Sequence, residues 1–339
     1  MQDDVKKEVP LVSIVMSAFN EEKYIAESIN SILNQTYSNI EVIIIDDAST
    51  DKTVEKIGQI RDDRIKLYVN DKNRKLAHNL NLAIEKAKGK YIARMDADDI
   101  ALPNRIEEQV KFMEQNSEVD VLGAFAVCFG DSSAKMEYPV SHDAIKVSLL
   151  FENALCHPLV MFRKESIDER YNESYVASQD YELWSRLIWK KNFYNMNSVL
   201  LKYRVHKNQT KNVVGRKQKE GAIAARHEML KHLVDNADPV FLATFDKMFL
   251  VGQKFSKKTI DEIESVLKKI IELNKIKLEY NQELIYEKCT HVYFENWYYC
   301  EEKFSQKMND IKTCGFLKDY YYSLPFRKKI KIIIHCLLG

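Results

Sequence analysis

The sequence predicts an α/β fold in which a mostly parallel sheet is flanked by helices, followed by an all-helical region. Apolar, β-branched runs alternate with amphipathic helical patterns over residues 12–113, which is typical of a parallel sheet with right-handed crossovers. Acidic residues follow two of these runs directly. Beyond about residue 211 the recurring pattern is helical, so we divide the chain into residues 1–210 and residues 211–339.

The strands are predicted from short apolar runs that end in polar turns. They cover residues 12–16, 42–45, 65–69 and 91–93. Helical patterns with one apolar face follow them, at residues 25–33, after Asp51, at residues 76–87 and at residues 106–113. Asp51 belongs to a capping cluster ahead of the second helix, and Gly89 ends the third.

The fourth strand leads into an acidic sequence, Met95–Asp99. Hard divalent cations prefer carboxylate oxygens, and adjacent carboxylates repel each other unless a cation or hydrogen bonds compensate. At the end of a parallel strand, these carboxylates would face the crevice in which open α/β sheets bind ligands. The motif therefore predicts a metal clamp for a diphosphate. Taken alone, an acidic triplet is more often a solvated turn, so the prediction depends on the rest of the chain.

Four segments, in this order, resemble the family 2 glycosyltransferases with the GT-A fold, especially the bacterial branch that builds surface polysaccharides. They are VSIVMSAFNEEKYIAESINSILNQTYSNIEVIIIDDASTDKT at residues 12–53, ARMDADD at 93–99, QDYELW at 179–184 and YRVHKNQ at 203–209. The resemblance covers about residues 10–210. It implies a GT-A (nucleotide-diphospho-sugar transferase) fold, whose sheet is Rossmann-like and mostly parallel, for this catalytic domain.

The resemblance also implies a site for a nucleotide-diphosphate sugar, with a UDP-sugar expected. The donor-binding residues that it assigns are Ser17, Phe19, Glu21, Asp47, Arg74, Asp96, Ala97 and Arg204. Two alternatives stay open: Phe19 is either a stacking ring or a core aromatic, and Asp47 is either a base or ribose contact or a turn cap. Lys75 stands where the family usually has a small residue, which is a departure in the donor loop.

The metal in this resemblance is Mn²⁺ or Mg²⁺, and it would be held by Asp98, Asp96 and His206. Asp99 would either share the metal or organise the loop. A lone histidine is more often structural, so the assignment of His206 depends on the family pattern alone.

The proton acceptor implied by the family pattern is Asp180, ahead of an apolar helical stripe. The alternative is that Asp180 only caps this helix. Gln179 replaces the usual glutamate, which removes a like charge and should lower the pKa of Asp180 slightly. His157 is another position typical of the family, and Pro158 predicts an extended conformation for it.

The resemblance implies an inverting, metal-dependent hexosyltransferase that forms a β-linkage to a hydroxyl of a growing surface glycan or lipid-linked glycan. The alternative is a catalytically silent sugar-nucleotide-binding protein, or a scaffold of a glycan-assembly complex. The presence of Asp180 argues against a silent protein. Donor sugar, acceptor and linkage position are marked by no motif.

Composition limits the other classes of function. Lys plus Arg number 51 and Asp plus Glu number 50, so the formal net charge is +1 and nucleic acid is not expected as a partner. The six cysteines show no zinc-type spacing, no signal peptide precedes Val12, and no apolar run reaches the roughly 18 residues of a membrane span. We therefore expect a cytoplasmic protein.

The C-terminal region is predicted to be helical, with a capping box at Thr259 and Glu262 and an aromatic-rich segment over residues 286–299. These aromatic residues form either a helix core or an acceptor platform or subunit interface, so a homo-oligomer through this region is one expectation. Residues 326–338 are basic and amphipathic. They predict peripheral contact with an anionic membrane at the inner face of the plasma membrane, although a packed terminal helix explains them nearly as well.

Overall fold

The structure is a computed structural model that describes residues 9–206, 215–250, 253–298 and 313–323, together with residues 300, 307, 310, 311 and 329. The chain divides into two compact units. The first comprises Met1–Ile145 and Phe151–Arg226, and the second comprises Lys146–Leu150 and His227–Gly339.

Nine strands of the first unit join one sheet. They are β1 (Val12–Ala18), β2 (Ile40–Asp46), β3 (Ile65–Val69), β4 (Tyr91–Asp96), β5 (Ile100–Ala101), β6 (Val121–Gly130), β7 (Lys135–Met136), β8 (Met161–Arg163) and β9 (Phe193–Val205). The strand order is β3-β2-β1-β4-β8-β6-β9-β5, and β7 pairs with β6. Each of the long pairings is parallel, whereas the antiparallel pairings involve two or three residues of each strand. The predicted fold class is therefore confirmed.

Helices flank this sheet. Those of the first half are α1 (Ile25–Leu33), α2 (Thr53–Gln59), α3 (Leu76–Lys86), α4 (Arg105–Gln115), α5 (His142–Leu149) and α6 (Gln179–Leu187). Short 3-10 helices cover His157–Leu159 and Lys164–Ser166. Farther along the chain lie α7 (Gly215–Leu230), α8 (Pro239–Lys247), α9 (Lys257–Lys277), α10 (Gln282–Tyr298) and α11 (Gly315–Ser323).

The core forms where apolar periodicity meets the sheet. All seven residues of β2 are buried, and α1 buries Ile25, Ile29 and Ile32 on one face. Each such isoleucine contributes about 1.5–3 kcal/mol when it is fully buried. Gly89 comes close to β1, because a Cβ atom there would lie 2.6 Å from the Ser13 backbone nitrogen. This close approach explains why the turn before β4 uses glycine.

The second unit corrects the start of one helix predicted in the sequence analysis. The helix expected to begin at Thr259 begins at Lys257, and its cap is Ser256, whose side chain accepts a hydrogen bond from the Thr259 backbone N–H. Thr259 is therefore the third helical residue and not the cap. Asp238 likewise caps α8 through the Phe241 N–H.

The aromatic-rich segment is mainly helix core. Tyr293 and Trp297 are fully buried, and the Tyr293 ring lies 5.6 Å from that of Phe316 in α11. Among the described residues, no helix combines the length and the apolar character that a membrane span needs. Of the basic segment 326–338, the structure describes only Lys329.

Candidate active site

The site lies at the carboxyl ends of three adjacent parallel strands. In the β1–β2 pairing Ala18 is opposite Asp46, and in the β1–β4 pairing Ser17 is opposite Asp96. The acidic ends of β2 and β4 therefore flank the end of β1, at the edge of the sheet where open α/β sheets bind ligands.

Asp47 follows β2 and is almost fully buried. Its Oδ1 accepts hydrogen bonds from the Asn70 side chain at 2.9 Å and the Arg74 backbone N–H at 2.7 Å. Its Oδ2 accepts one from the Lys75 backbone N–H at 3.0 Å. Asp47 thus holds the donor loop, residues 70–75, at the end of the sheet. The turn after β2 has another cap: the Asp46 carboxylate accepts from the Ser49 N–H and hydroxyl at 2.9 and 2.6 Å.

A chain of amides links Asp47 to Ser17. The Asn70 side chain also donates to Asn79 Oδ1 at 2.8 Å, and Asn79 Nδ2 donates to Ser17 Oγ at 3.0 Å. These two asparagines are polar partners that sequence reasoning missed, because no motif distinguishes them from other loop and helix asparagines. They place Ser17, Asp47 and the donor loop in one hydrogen-bonded network.

Phe19 is 45% exposed, so the core-aromatic alternative is wrong and the ring is accessible at the end of β1. The Arg74 side chain is also accessible, and it contacts Asp71 at 3.2 Å. Lys75 has φ 73° and ψ 163°, a conformation that favours glycine. The departure noted in the sequence therefore places a strained backbone in the donor loop.

Three carboxylates gather after β4. One oxygen from each of Asp96, Asp98 and Asp99 lies within 4.8 Å of the others. Asp96 Oδ1 is 2.5 Å from Arg94 Nη2, and Asp99 Oδ1 accepts a hydrogen bond from the Arg204 backbone N–H at 2.8 Å. Burial, followed by repulsion from Asp96, raises the pKa of Asp98 and raises that of Asp99 well above its ordinary value. Ala97, which separates Asp96 from Asp98 in the sequence, is buried.

Glu21, in the turn after β1, belongs to the same electrostatic environment. Burial and then repulsion from Asp98 and Asp96 raise the pKa of Glu21 to about 8. The end of the sheet therefore gathers more acidic groups than the neighbouring cations balance, and this crowding favours the protonated form of Glu21.

The chemistry of this cluster fits a hard divalent cation. Asp99 Oδ2 is buried and has no hydrogen-bond partner in the part of the chain that the structure describes. An orphaned carboxylate oxygen beside two further carboxylates is a donor set suited to Mg²⁺ or Mn²⁺.

His206 and Arg204 lie beside the cluster at the end of β9. His206 Nε2 is 3.1 Å from Asp98 Oδ2, so the structure brings these two predicted ligands together. The Arg204 side chain donates to the Asp98 backbone oxygen at 2.6 Å and pairs with Glu27 at 2.5 Å. Its guanidinium also lies 4.3 Å from the centre of the Tyr24 ring. These contacts support a role in holding the acidic loop, and phosphate binding by Arg204 stays a prediction.

Asp180 lies in the first turn of α6. Its Oδ2 accepts a hydrogen bond from the Asn153 side chain at 2.7 Å, whereas the N-cap is Ser178, with φ 58° and ψ 22°. Asp180 is therefore not the cap. Burial raises its pKa, and this effect outweighs the Tyr181 backbone hydrogen bond and the Arg94 charge, which both lower it.

Gln179 and His157 lie close to this region in the fold. Gln179 is buried, and its Oε1 has no hydrogen-bond partner among the described residues. His157 begins a 3-10 helix and is not extended; the extended residue is Cys156, one position earlier. The His157 ring is 2.8 Å from the Tyr171 hydroxyl, and burial lowers its pKa well below the usual value, so it is neutral.

Arg94 interacts with the acidic cluster and with Asp180. It is 3% exposed, pairs with Asp96, and contributes a charge that lowers the pKa of Asp180. Burial raises the pKa of Tyr171, the Arg94 charge lowers it, and the charges of Asp180 and Asp96 add to the rise. Asp96 and Asp180 are therefore both coupled electrostatically to Arg94 and Tyr171. Sequence reasoning missed Arg94, although a cation inside an apolar strand was a usable signal.

Arg105 and Gln109 fix the strand that carries these groups. Arg105 is fully buried and donates to the Arg94 backbone oxygen at 2.7 Å and to Gln109 Oε1 at 3.1 Å. Gln109 Nε2 in turn donates to the Leu159 backbone oxygen at 2.7 Å. Helix α4 thus joins β4 to the turn that contains His157.

Similar sequences and solved structures identify the family to which this chain belongs. The sequence model of glycosyl transferase family 2 matches residues 13–171. An uncharacterized glycosyltransferase of Haemophilus influenzae is 34% identical over 242 residues, which cover 67% of this chain and 75% of the relative. The Escherichia coli UDP-Glc:alpha-D-GlcNAc-diphosphoundecaprenol beta-1,3-glucosyltransferase WfgD is 32% identical over 197 residues, 58% of this chain and 77% of that protein.

Among solved structures, S. aureus TarS 1-349 in complex with UDP-GlcNAc is similar in fold. Its TM-score is 0.57 with 14% sequence identity, over 93% of each chain. Because the Haemophilus relative exceeds 30% identity across three quarters of its length, the sequence evidence assigns the family and the structural likeness supports the fold. The chain belongs to glycosyl transferase family 2, and it is a glycosyltransferase.

Proposed function

We propose that this glycosyltransferase transfers a hexose from a UDP-sugar to a hydroxyl of a growing bacterial surface glycan, with inversion and with a divalent metal. The observation that carries the proposal is the neighbourhood around Arg94. On one side it pairs with Asp96 of the carboxylate cluster, and on the other its charge acts on Asp180 in α6.

The donor pocket is assigned to the ends of β1 and β2 and to the donor loop. Exposed Phe19 offers a face for stacking on a base, while the network of Ser17, Asn79, Asn70 and Asp47 fixes polar atoms beside it. The choice of UDP is supported by the nucleotide sugars named for TarS and WfgD. Asp98 and Asp96, with Asp99 and His206 beside them, would hold Mn²⁺ or Mg²⁺. When bound, the ion supplies Lewis-acid stabilisation of charge on the diphosphate.

Asp180 is the proposed general base. Its raised pKa brings a carboxylate closer to the pKa range in which it accepts a proton effectively, and Asn153 orients one of its oxygens. As Asp180 takes the proton, the acceptor oxygen forms a bond to the anomeric carbon. The bond from that carbon to the diphosphate oxygen breaks, and its electron pair leaves with UDP. Attack from the face opposite UDP converts an α-linked donor into a β-linked product.

The acceptor is proposed to be a lipid-linked glycan at the inner face of the plasma membrane, which the name of the relative WfgD supports. Residues 326–338 would contact anionic lipid through their basic side chains. Flotation with phosphatidylglycerol vesicles, compared between the full chain and a chain ending at Leu324, tests this contact. Equal flotation of the full and the shortened chain would refute the membrane contact.

Light scattering on the full chain would test the expected homo-oligomer.

The base assignment is tested by Asp180→Asn. With Mn²⁺ and a panel of UDP-hexoses, UDP release with water as acceptor should fall at least about 100-fold, since general-base catalysis contributes roughly 10²–10⁴-fold. UDP affinity should stay unchanged. Asp168→Asn is the matched control, because this exposed carboxylate lies outside the site. Full activity of Asp180→Asn would refute the assignment of Asp180 as the base. A wild-type protein that binds UDP-sugars but never releases UDP would favour the alternative of a catalytically silent binding protein.

A further inference from the structure

Helix α7 contains a glycine where helix propensity argues against one. Glycine in a helix interior costs about 0.5–1 kcal/mol relative to alanine, so its presence needs a packing reason. Gly221 is buried, and a Cβ atom built on it would lie 2.5 Å from the Ala177 backbone oxygen and 3.0 Å from Ser178 Cβ. The backbone of α7 therefore passes close to the turn before α6.

That turn places the proposed base. Ser178 is the N-cap of α6 in the left-handed conformation, and Asp180 follows two residues later in the first helical turn. A Cβ atom added at Gly221 would clash with the Ala177 backbone oxygen, so either this turn or α7 would have to move. No flexible side chain is available to yield, because the atom that would be struck belongs to the backbone.

A second contact joins the same two helices. The Arg226 side chain in α7 hydrogen-bonds to the hydroxyl of Tyr181, the residue directly after Asp180. Both side chains are buried, with exposures of 7% and 3%. Helix α7 thus contacts α6 immediately before and immediately after the base.

We infer that Gly221 is a positioning residue for catalysis, and that the close approach of α7 which it permits sets the place of Asp180. The inference rests on the proposed role of Asp180. It assigns part of the catalytic geometry to a helix that lies outside the four family motifs and outside the matched residues 13–171.

The test is Gly221→Ala, followed through UDP release from the UDP-hexose panel with Mn²⁺. A displacement of the base by up to 1 Å costs as much as about 100-fold, so kcat should fall about 10- to 100-fold. The dissociation constant of UDP with Mn²⁺ should change less than about 2-fold, since the residues assigned to the donor pocket belong to other segments, at the ends of β1 and β2 and in the donor loop. The matched control is Gly58→Ala in α2, where a Cβ atom meets nothing within 4 Å and kcat should be unchanged.

Tyr181→Phe provides a test that adds no volume. It removes the hydroxyl bonded to Arg226, and kcat should fall again with UDP affinity retained. If Gly221→Ala fails to fold, this variant decides the matter alone. The inference would be overturned if Gly221→Ala had wild-type kcat while Asp180→Asn is inactive. If Gly221→Ala is unfolded, wild-type kcat in Tyr181→Phe would overturn it under the same condition. A parallel loss of kcat and UDP affinity would also overturn it, by indicating general disruption. Activity of Asp180→Asn would instead refute the proposed function.

Discussion

Arg94 shows how one side chain can serve two acidic groups. Burying a guanidinium is costly unless anions compensate, and here Asp96 pairs with it directly while Asp180 lies within its electrostatic influence. Its Nε and Nη1 atoms have no hydrogen-bond partner among the described residues. The cation therefore acts mainly through charge, and it keeps the pKa of Asp180 lower than burial alone would allow.

Replacing this charge should change the pH dependence of the reaction. As the proposed base, Asp180 would work only as a carboxylate, so kcat should fall as the pH drops through its raised pKa. In Arg94→Met the cation that lowers this pKa is absent, so the acid limb of the kcat profile should move to higher pH. A pH profile of UDP release measures the shift. An acid limb at the wild-type position would show that Arg94 does not act on the base.

A control separates charge from packing. Arg94→Lys retains the charge, so its acid limb should lie closer to that of the wild type than the limb of Arg94→Met. Removing one partner of a buried ion pair costs about 3–5 kcal/mol of unfolding free energy, so each variant has to be checked for folding by thermal denaturation.

At the scale of elements, the donor loop is held against its own conformational preference. Asp47 binds two successive backbone N–H groups, those of Arg74 and Lys75, and this clamp maintains a backbone conformation that is nearly restricted to glycine. Strain of this kind persists only when surrounding contacts over-determine it. The loop is therefore fixed before any donor arrives.

Lys75→Gly should stabilise the protein. Relief of the strained conformation should add about 1–3 kcal/mol to the unfolding free energy. Glycine also raises the entropy of the unfolded chain, which subtracts about 0.5–1 kcal/mol, so a net gain in stability of about 1 kcal/mol is expected. Denaturant unfolding measures it. The control is Lys72→Gly in the same loop, which has no positive φ to relieve and should destabilise. A loss of stability in Lys75→Gly would contradict the strain.

At the scale of the whole molecule, stability should depend on metal and nucleotide together. A ligand that binds the folded state at 100 times its dissociation constant adds about 2.7 kcal/mol to the unfolding free energy. We therefore expect UDP with Mn²⁺ to raise the melting temperature of the wild type and EDTA to cancel most of the rise. Asp98→Ala should lose the Mn²⁺-dependent part, while Asp168→Asn keeps it. An equal rise in Asp98→Ala would contradict the metal assignment.

Much of this architecture was predictable because it is encoded locally. Strands β1 to β4 are mainly apolar runs, and the acidic residues at the ends of β2 and β4 directly follow these runs in sequence. Strands β5, β7 and β8 were missed, since two or three residues carry no period and depend on their partner strands. Strand β6 was missed as well, although its ten residues are mostly apolar and gave a usable signal. Asn70, Asn79 and Arg94 were missed because their roles arise from contacts between distant segments. The helix start at Lys257 was misplaced because Ser256 and Thr259 are equally good capping residues in sequence.

The raised pKa values of Glu21, Asp98 and Asp99 have a consequence for engineering. Repulsion among these crowded acidic groups lowers the stability of the folded, ligand-free enzyme, which is a trade-off between stability and activity. A library screened only for heat resistance would therefore enrich amides or alanines at Asp98 and Asp99, and its most robust survivors would be the least competent catalysts.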